Sequence, residues 1–258
     1  MHVTSERRLA TPSAQGPGDD VLERTFLLGD IPGIVWTPAS ASASAPVPLI
    51  LLGHPPLGLD AMYPRLADRA RHSAAAGFAT ATVELPGSGD RPRLPVLDRA
   101  RADLRRTMRA GEPVGDEIVD ALVLPLVDRA VPEWQTALDA LLTLPGIGGP
   151  VGYSGGVISI GVRLARIEPR VAAAGLFAGS FVPRGILEEA RQVTIPLHVL
   201  LQWDDEGGHR QAGLDLFDAF GSTEKSLHAH LGGHTGVPRH AGAGAVDFFT
   251  RHLKRRAA

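Results

Sequence analysis

The pentapeptide Gly152-Tyr153-Ser154-Gly155-Gly156 contains the residue types that can expose a serine nucleophile, because it fits G-x-S-x-G. A short strand is predicted over residues 151–153 and a helix over 155–167, so the serine would lie on a strand-to-helix turn. The N–H of Gly155 would then face a developing oxyanion. The pattern predicts Ser154 as the nucleophile of an acyl transfer. A glycine-rich turn without chemistry is the alternative.

A serine hydroxyl needs a base, and the base needs an acid that orients it. His234 follows the last predicted strand and is the expected base. Three acids follow the strand predicted before it: Asp204, Asp205 and Glu206. We prefer Asp205, because the helix that follows suggests a loop starting one residue after Asp204. Asp204 is the second choice and Glu206 the third.

Two further histidines give a pattern that could be read as a metal site, since His228, His230 and His234 form H-x-H-x₃-H. No companion Asp or Cys has the spacing of a metal ligand, and alternation along a strand explains the first two histidines. We therefore expect no metal.

The chain from residue 47 onward alternates between strands and helices. Apolar runs predict strands over residues 48–53, 78–85, 151–153, 171–178, 196–202 and 225–231. Helical spacing predicts helices after residue 59 and over 132–144, 155–167, 214–220 and 243–254. This order predicts an α/β fold with a mostly parallel sheet covered by helices on both faces. Its chemistry should gather at the carboxyl ends of the strands.

Three segments fall outside that alternation. Residues 1–20 are polar and predict a mobile arm before a single domain over 21–258, and residues 25–38 predict a hairpin broken at Pro32-Gly33. Residues 91–131 predict a small helical cap, with an ordinary crossover helix as the alternative. The cap leucines Leu122, Leu124 and Leu126 would line a pocket for a neutral, apolar small molecule.

Composition limits the partners of the 258-residue chain. A net charge of −2 gives no reason to expect nucleic acid or an anionic membrane, and no apolar stretch is a convincing membrane span. There is no cysteine, which excludes disulfides and thiolate chemistry. We expect a cytoplasmic protein without a cofactor. The sequence leaves the oligomeric state open, a homodimer included.

These motifs together resemble the α/β-hydrolase superfamily, and within it the small dienelactone-hydrolase-like esterases. Besides the three catalytic positions, Gly53-His54 is similar to the family's H-G-x oxyanion loop. Residues 84–90 (ELPGSGD) are similar to its D-x-P-G-x-G turn. The resemblance implies an α/β-hydrolase fold and hydrolysis of carboxylic esters, lactones or thioesters. His54 and Tyr153 would then border the substrate pocket.

One departure from the family pattern affects the oxyanion hole. Pro55 and Pro56 stand where the family has a glycine and an N–H donor, and proline has no N–H. We expect Leu57 to donate instead. The departure leaves two alternatives open: a non-hydrolytic reaction such as cyclisation, elimination or acyl transfer, and a small-molecule receptor without catalysis. A metal-dependent hydrolase is a further reading.

Overall fold

The computed structural model describes residues 1–9, 20–205, 207 and 210–254, with the backbone alone at 239 and 240. These residues form a nine-stranded sheet in the order β1-β2-β3-β5-β4-β6-β7-β8-β9. The first three strands and β5 pair antiparallel, and every pairing from β5 through β4 to β9 is parallel. The predicted α/β class and mostly parallel sheet are therefore confirmed.

The strands are β1 (His2–Leu9), β2 (Val21–Leu28), β3 (Ile31–Pro38), β4 (Val47–Gly53), β5 (Ala79–Val83), β6 (Ile147–Gly155), β7 (Val171–Ala178), β8 (Leu197–Gln202) and β9 (Lys225–His230). The helices are α1 (Leu59–Ala75), α2 (Pro95–Ala110), α3 (Asp116–Leu141), α4 (Ile158–Ile167), α5 (Arg184–Ala190), α6 (Arg210–Ala219) and α7 (Arg239–Leu253). None of the helices in the described part of the chain is long and apolar enough to cross a membrane.

Helices cover both faces of the sheet because its central strands carry apolar side chains on both sides. One core forms between α1, α7 and the sheet, around residues such as Leu52, Leu66 and Phe249. The larger core forms on the opposite face beneath α3, α4, α5 and α6, around residues such as Trp134 and Leu176. The carboxyl ends of β4 to β9 lie at one edge between these layers, where the site residues were expected.

The N-terminal prediction is wrong for residues 2–9, which form a paired strand rather than a mobile arm. Its side chains are almost all exposed and polar, which hid the strand from a search for apolar alternation. Cross-strand ion pairs fix it, among them Arg7 to Glu23 at 2.6 Å and Arg24 to Glu6 at 2.6 Å. The remaining arm residues, 10–19, lie outside the described residues.

The hairpin is present, but its turn lies elsewhere than predicted. The strands reverse at Gly29-Asp30, where Gly29 has a φ of 62°, and Pro32-Gly33 lies inside β3. Gly33 is needed for packing instead, since a side chain there would collide with the ring of Phe26.

Residues 91–131 contain helices, as predicted. Residue 131 is not a boundary, however, because the second helix continues beyond it. The segment contains α2 and the first part of α3, which continues unbroken to Leu141 with Pro125 and Pro132 inside it. The expectation that Pro132 starts a helix is therefore wrong. Leu126 is buried in the larger core, and Leu122 and Leu124 pack against that core.

Candidate active site

His234 and Asp205 form a hydrogen-bonded pair at the carboxyl edge of the sheet. Nδ1 of His234 lies 2.7 Å from Oδ2 of Asp205. The Asp205 side chain is 2% exposed, whereas that of His234 is 47% exposed. The N–H of Gly207 donates to the other carboxylate oxygen at 2.9 Å. A buried, hydrogen-bonded carboxylate fixes the orientation of an accessible imidazole, the arrangement that a general base requires.

The loops after β8 and β9 hold Asp205 and His234 together because hydrogen bonds join the two loops. The N–H of Trp203 donates to the carbonyl of His230 at 2.8 Å, and Nε2 of Gln202 donates to that of Gly233 at 3.0 Å. The second-choice acid, Asp204, accepts the N–H of Gly232 at 3.1 Å. Asp204 therefore shapes the histidine loop, while its neighbour contacts the imidazole. Glu206 lies outside the described residues.

The imidazole of His234 rests against the end of β7. Its ring meets the ring of Phe177 edge-on, with centroids 5.2 Å apart. A Cβ added at Gly179 would lie 3.0 Å from Cε1 of His234. Glycine at position 179 therefore lets the imidazole approach the backbone just past the strand.

Ser154 lies away from this pair. It is inside β6, opposite Leu52 of β4 and Gly175 of β7. β7 continues from Gly175 to Ala178 before it reaches the region of His234, about 10 Å further at strand spacing. Oγ of Ser154 accepts a hydrogen bond from Nη2 of Arg69 at 2.9 Å, and none joins it to His234. The structure thus brings two of the three expected catalytic residues together and leaves Ser154 on the α1–α7 face.

The strand-to-helix turn begins two residues later than predicted. β6 runs to Gly155, and α4 begins at Ile158 with Val157 as its N-cap. The left-handed conformations belong to Gly155 and Gly156, with φ of 78° and 74°, and Ser154 is not strained. A Cβ at Gly156 would meet the backbone of Gly53 and His54 at 2.7 Å. Val157, with a φ of −71°, is the last residue of the turn before α4.

Neither predicted oxyanion donor is arranged as expected. The N–H of Leu57 donates to the carbonyl of Pro55 at 2.8 Å, so it is already engaged. Gly155 is the last residue of β6, opposite Gly53, rather than the first residue of the helix. The N–H groups nearest the turn belong instead to the first turn of α4, which begins at Ile158.

The two residues expected at the substrate pocket, His54 and Tyr153, are both about 1% exposed. The ring nitrogens of His54 lie 2.8 Å from the carbonyl of Pro55 and 3.0 Å from that of Val83, joining the loop after β4 to β5. Tyr153 packs edge-on against Trp134, and burial raises its pKa. Both assignments are corrected: these side chains support the sheet.

The histidines of β9 do not assemble a metal site. Among the residues that the structure describes, no group of three His, Cys, Asp or Glu side chains could hold a metal ion. The ring of His228 lies against that of His198, tilted by 44° with centroids 4.3 Å apart. Burial, with the nearby His228 and His230, lowers the pKa of His198 to about 4, which keeps it neutral at physiological pH.

Sequence reasoning missed two residues of this region. Val157 was overlooked because Ser154 fits G-x-S-x-G, so the turn was predicted at residue 154 and not at residues 155–157. Arg69 donates to the carbonyl oxygens of Gly53 at 3.2 Å and Ser154 at 2.8 Å, at the ends of β4 and β6. Its signal was available, since Arg69 is a charged residue on the sheet-facing stripe of α1, between Leu66 and Ala70.

Comparison with known proteins agrees with this architecture. No protein-family model and no curated protein matches the chain. A cold-adapted esterase from an Arctic intertidal metagenomic library is 28% identical, with a TM-score of 0.69 over 96% of this chain and 98% of that one. A CIB-like hydrolase from Thermoplasma acidophilum is 12% identical, with a TM-score of 0.59 over 90% and 98%. The Pyrococcus furiosus esterase Pf2001 is 8% identical, with a TM-score of 0.58 over 97% and 91%.

Proposed function

We propose that this chain, which has the α/β-hydrolase fold, hydrolyses carboxylic esters with His234 and Asp205 as its general base. The observation that carries the proposal is the 2.7 Å contact between Nδ1 of His234 and Oδ2 of Asp205 at the carboxyl edge of the sheet. Nε2 of the imidazole is then the atom that takes a proton, and the half-exposed ring can meet a substrate. The similarity to esterases supports the reaction class.

The attacking group in this proposal is water. The hydroxyl of Ser154 accepts a hydrogen bond from Arg69, and the side chain of Val157 has no group that could attack a carbonyl. His234 removes a proton from water as the oxygen adds to the ester carbonyl, and Asp205 stabilises the imidazolium that forms. The imidazolium then returns the proton to the departing alkoxide. Backbone N–H groups at the start of α4 are the nearest source of positive potential for the oxyanion.

A cavity of about 510 Å³ lies between the loop after β4, the turn after β5 and α2, and Leu57, Ser88, Arg93 and Arg101 border it. Neither His234 nor Asp205 is part of its lining, so it does not define the acyl group on which the pair would act. The proposed substrates are therefore carboxylic esters as a class, including the neutral, apolar ones expected from the cap leucines. Lactones and thioesters are further candidates.

Substitution of the pair tests the proposal. His234→Ala and Asp205→Asn should each lower kcat/KM for a 4-nitrophenyl ester by about 10²-fold or more, the range of general-base catalysis. Asp204→Asn is the matched control. It alters a neighbouring carboxylate that bonds to Gly232, and it should cost less than about tenfold, since one hydrogen bond contributes about 1 kcal/mol.

Chemical labelling separates a water nucleophile from Ser154. Mass spectrometry after fluorophosphonate treatment should find no adduct on Ser154, and product release should show no burst. Ser154→Ala should lower the rate far less than His234→Ala. A folded protein without turnover of any neutral or carboxylate-bearing ester would overturn the proposed function. An adduct on Ser154 would overturn the water mechanism alone.

A further inference from the structure

The guanidinium of Arg69 has no carboxylate partner among the residues that the structure describes. Its three hydrogen bonds go to the carbonyl of Gly53 and to the carbonyl and hydroxyl of Ser154. An arginine has five N–H donors, so two remain for another acceptor. Burial lowers the pKa of Arg69 to about 10, and the positive charge of Arg65 acts in the same direction. The side chain is only partly buried, so the cost of leaving this cation without an anion is reduced, and a bound anion would remove what remains of it.

Arg69 borders a cavity of about 140 Å³ between α1, α7 and the sheet. The apolar part of its lining comes from Ile50, Leu52, Gly242, Ala245, Val246 and Phe249. Ser154 also borders it, and its hydroxyl accepts from Arg69, which leaves its own hydrogen to donate. One end of the cavity is thus rich in donors and the other is apolar.

The acidic residue at this cavity limits the charge of a ligand. Asp68 borders the cavity but is exposed, and it lies 3.7 Å from His72. One partly buried cation opposed by one exposed carboxylate suits a monovalent anion better than a divalent one. The volume equals about five water molecules at their share of liquid volume, which is the size of a short carboxylic acid.

We propose that this cavity binds a small monocarboxylate, with its carboxylate on Arg69 and its short alkyl chain against α7. A remaining N–H of Arg69 can donate a charge-assisted hydrogen bond to one carboxylate oxygen, the hydroxyl of Ser154 can donate to the other, and the apolar lining accommodates the chain. The site is separate from the His234–Asp205 pair. It does not depend on ester hydrolysis, because it concerns binding alone.

Calorimetric titration of the full chain with butyrate at constant ionic strength tests this site. Saturable binding is expected, and Ala245→Leu should weaken it at least tenfold by filling the cavity without touching Arg69. Ala243→Leu is the matched control, because Ala243 is exposed on the same helix and outside the cavity lining. It should bind as the unmodified protein does.

Arg69→Met should also abolish binding, with circular dichroism showing that the variant is folded. If it does not fold, the comparison between the two alanine positions decides the question. Absence of saturable binding to the folded, unmodified protein would overturn the proposal, as would equal binding by Ala245→Leu. Tighter binding of inorganic phosphate than of butyrate would overturn the carboxylate assignment. None of these results depends on turnover, so this proposal and the proposed function fail independently.

Discussion

At the residue scale, the structure pairs His234 with Asp205 and leaves the strand-to-helix turn without a nucleophilic side chain. The turn consists of two glycines and Val157, whose side chain offers only methyl groups. Ser154 satisfies the motif but lies three residues before Val157, with its hydroxyl hydrogen-bonded to Arg69. In the proposed mechanism the pair therefore acts on water, because an acyl-enzyme at the turn would require a group that position 157 lacks.

Val157→Ser should place a hydroxyl at the turn and allow an acyl-enzyme to form. Serine is a favoured N-cap residue, so α4 should tolerate the change. We expect a fluorophosphonate adduct on the peptide carrying position 157 and a burst of product from 4-nitrophenyl esters. Both should disappear when His234→Ala is added. Val157→Ala is the matched control, and an adduct on Ser154 in either variant would contradict the assignment.

The sequence predicted the acid–base half of the site better than the nucleophile. Asp205 and His234 follow parallel strands, and the carboxyl ends of such strands must meet at one edge. The position of Ser154 depended on where β6 stops, and no apolar period marks that point. Gly155 and Gly156 are compatible with both strand and turn. The packing of Gly156 against the loop after β4 is therefore what sets the end of β6.

At the element scale, the connection between α4 and β7 is held by a buried carboxylate. Glu168 is 3% exposed as a side chain and accepts hydrogen bonds from Arg170 at 2.6 and 2.8 Å and from Gln135 at 3.2 Å. The hydrogen bonds from Arg170, against a smaller opposing effect of burial, lower the pKa of Glu168 to about 2. The connection thus fixes the far end of the helix that begins at Ile158.

Glu168→Gln should lower the free energy of unfolding at pH 7 by about 2 kcal/mol, after allowing for the partial exposure of Arg170. The folded pKa of Glu168 lies below its ordinary value of 4.5, so ionised Glu168 stabilises the protein above pH 4.5. That stabilisation is lost as the pH falls toward 2. The difference between variant and unmodified protein should therefore shrink in acid.

Urea unfolding between pH 7 and pH 3 measures this difference. Asp139→Asn is the control, because Asp139 is 68% exposed and pairs with the same Arg170 at 2.5 Å. It should cost less than about 1 kcal/mol, as exposed ion pairs do. A difference for Glu168→Gln that grows as the pH falls would contradict the assigned pKa direction.

Long helices and polar strands account for most of the fold that the sequence did not predict. The proline at position 132 reads as a helix start, yet it lies inside α3 because Val131 and Trp134 pack on the core on both sides of it. β1 carries little apolar surface, and its pairing depends on ion pairs formed only when β2 is beside it. Tertiary contacts, which local sequence does not encode, decide both cases.

At the scale of the whole molecule, one buried carboxylate links the N-terminal strand to elements beyond the strand with which it pairs. Glu23 is 2% exposed and accepts hydrogen bonds from Arg7 of β1 at 2.6 Å, Trp36 of β3 at 2.6 Å and Tyr63 of α1 at 2.8 Å. Three elements that are distant in sequence therefore meet at one side chain. We expect β1 to be part of the cooperative unit.

Arg7→Met should lower the free energy of unfolding by about 1–2 kcal/mol, because it removes the cation beside a buried carboxylate. Arg24→Met is the matched change on β2, and it should cost less than about 1 kcal/mol, since its partner Glu6 is 53% exposed. Differential scanning calorimetry compares the two. Equal losses would show that the burial of Glu23 adds nothing to the anchoring of β1.

The hydrogen bonds between the loops after β8 and β9 make the placement of His234 independent of the strand-to-helix turn. Trp203, Asp204 and Gln202 hold the histidine loop through bonds to His230, Gly232 and Gly233. A substitution at the turn should therefore leave the contact between His234 and Asp205 in place.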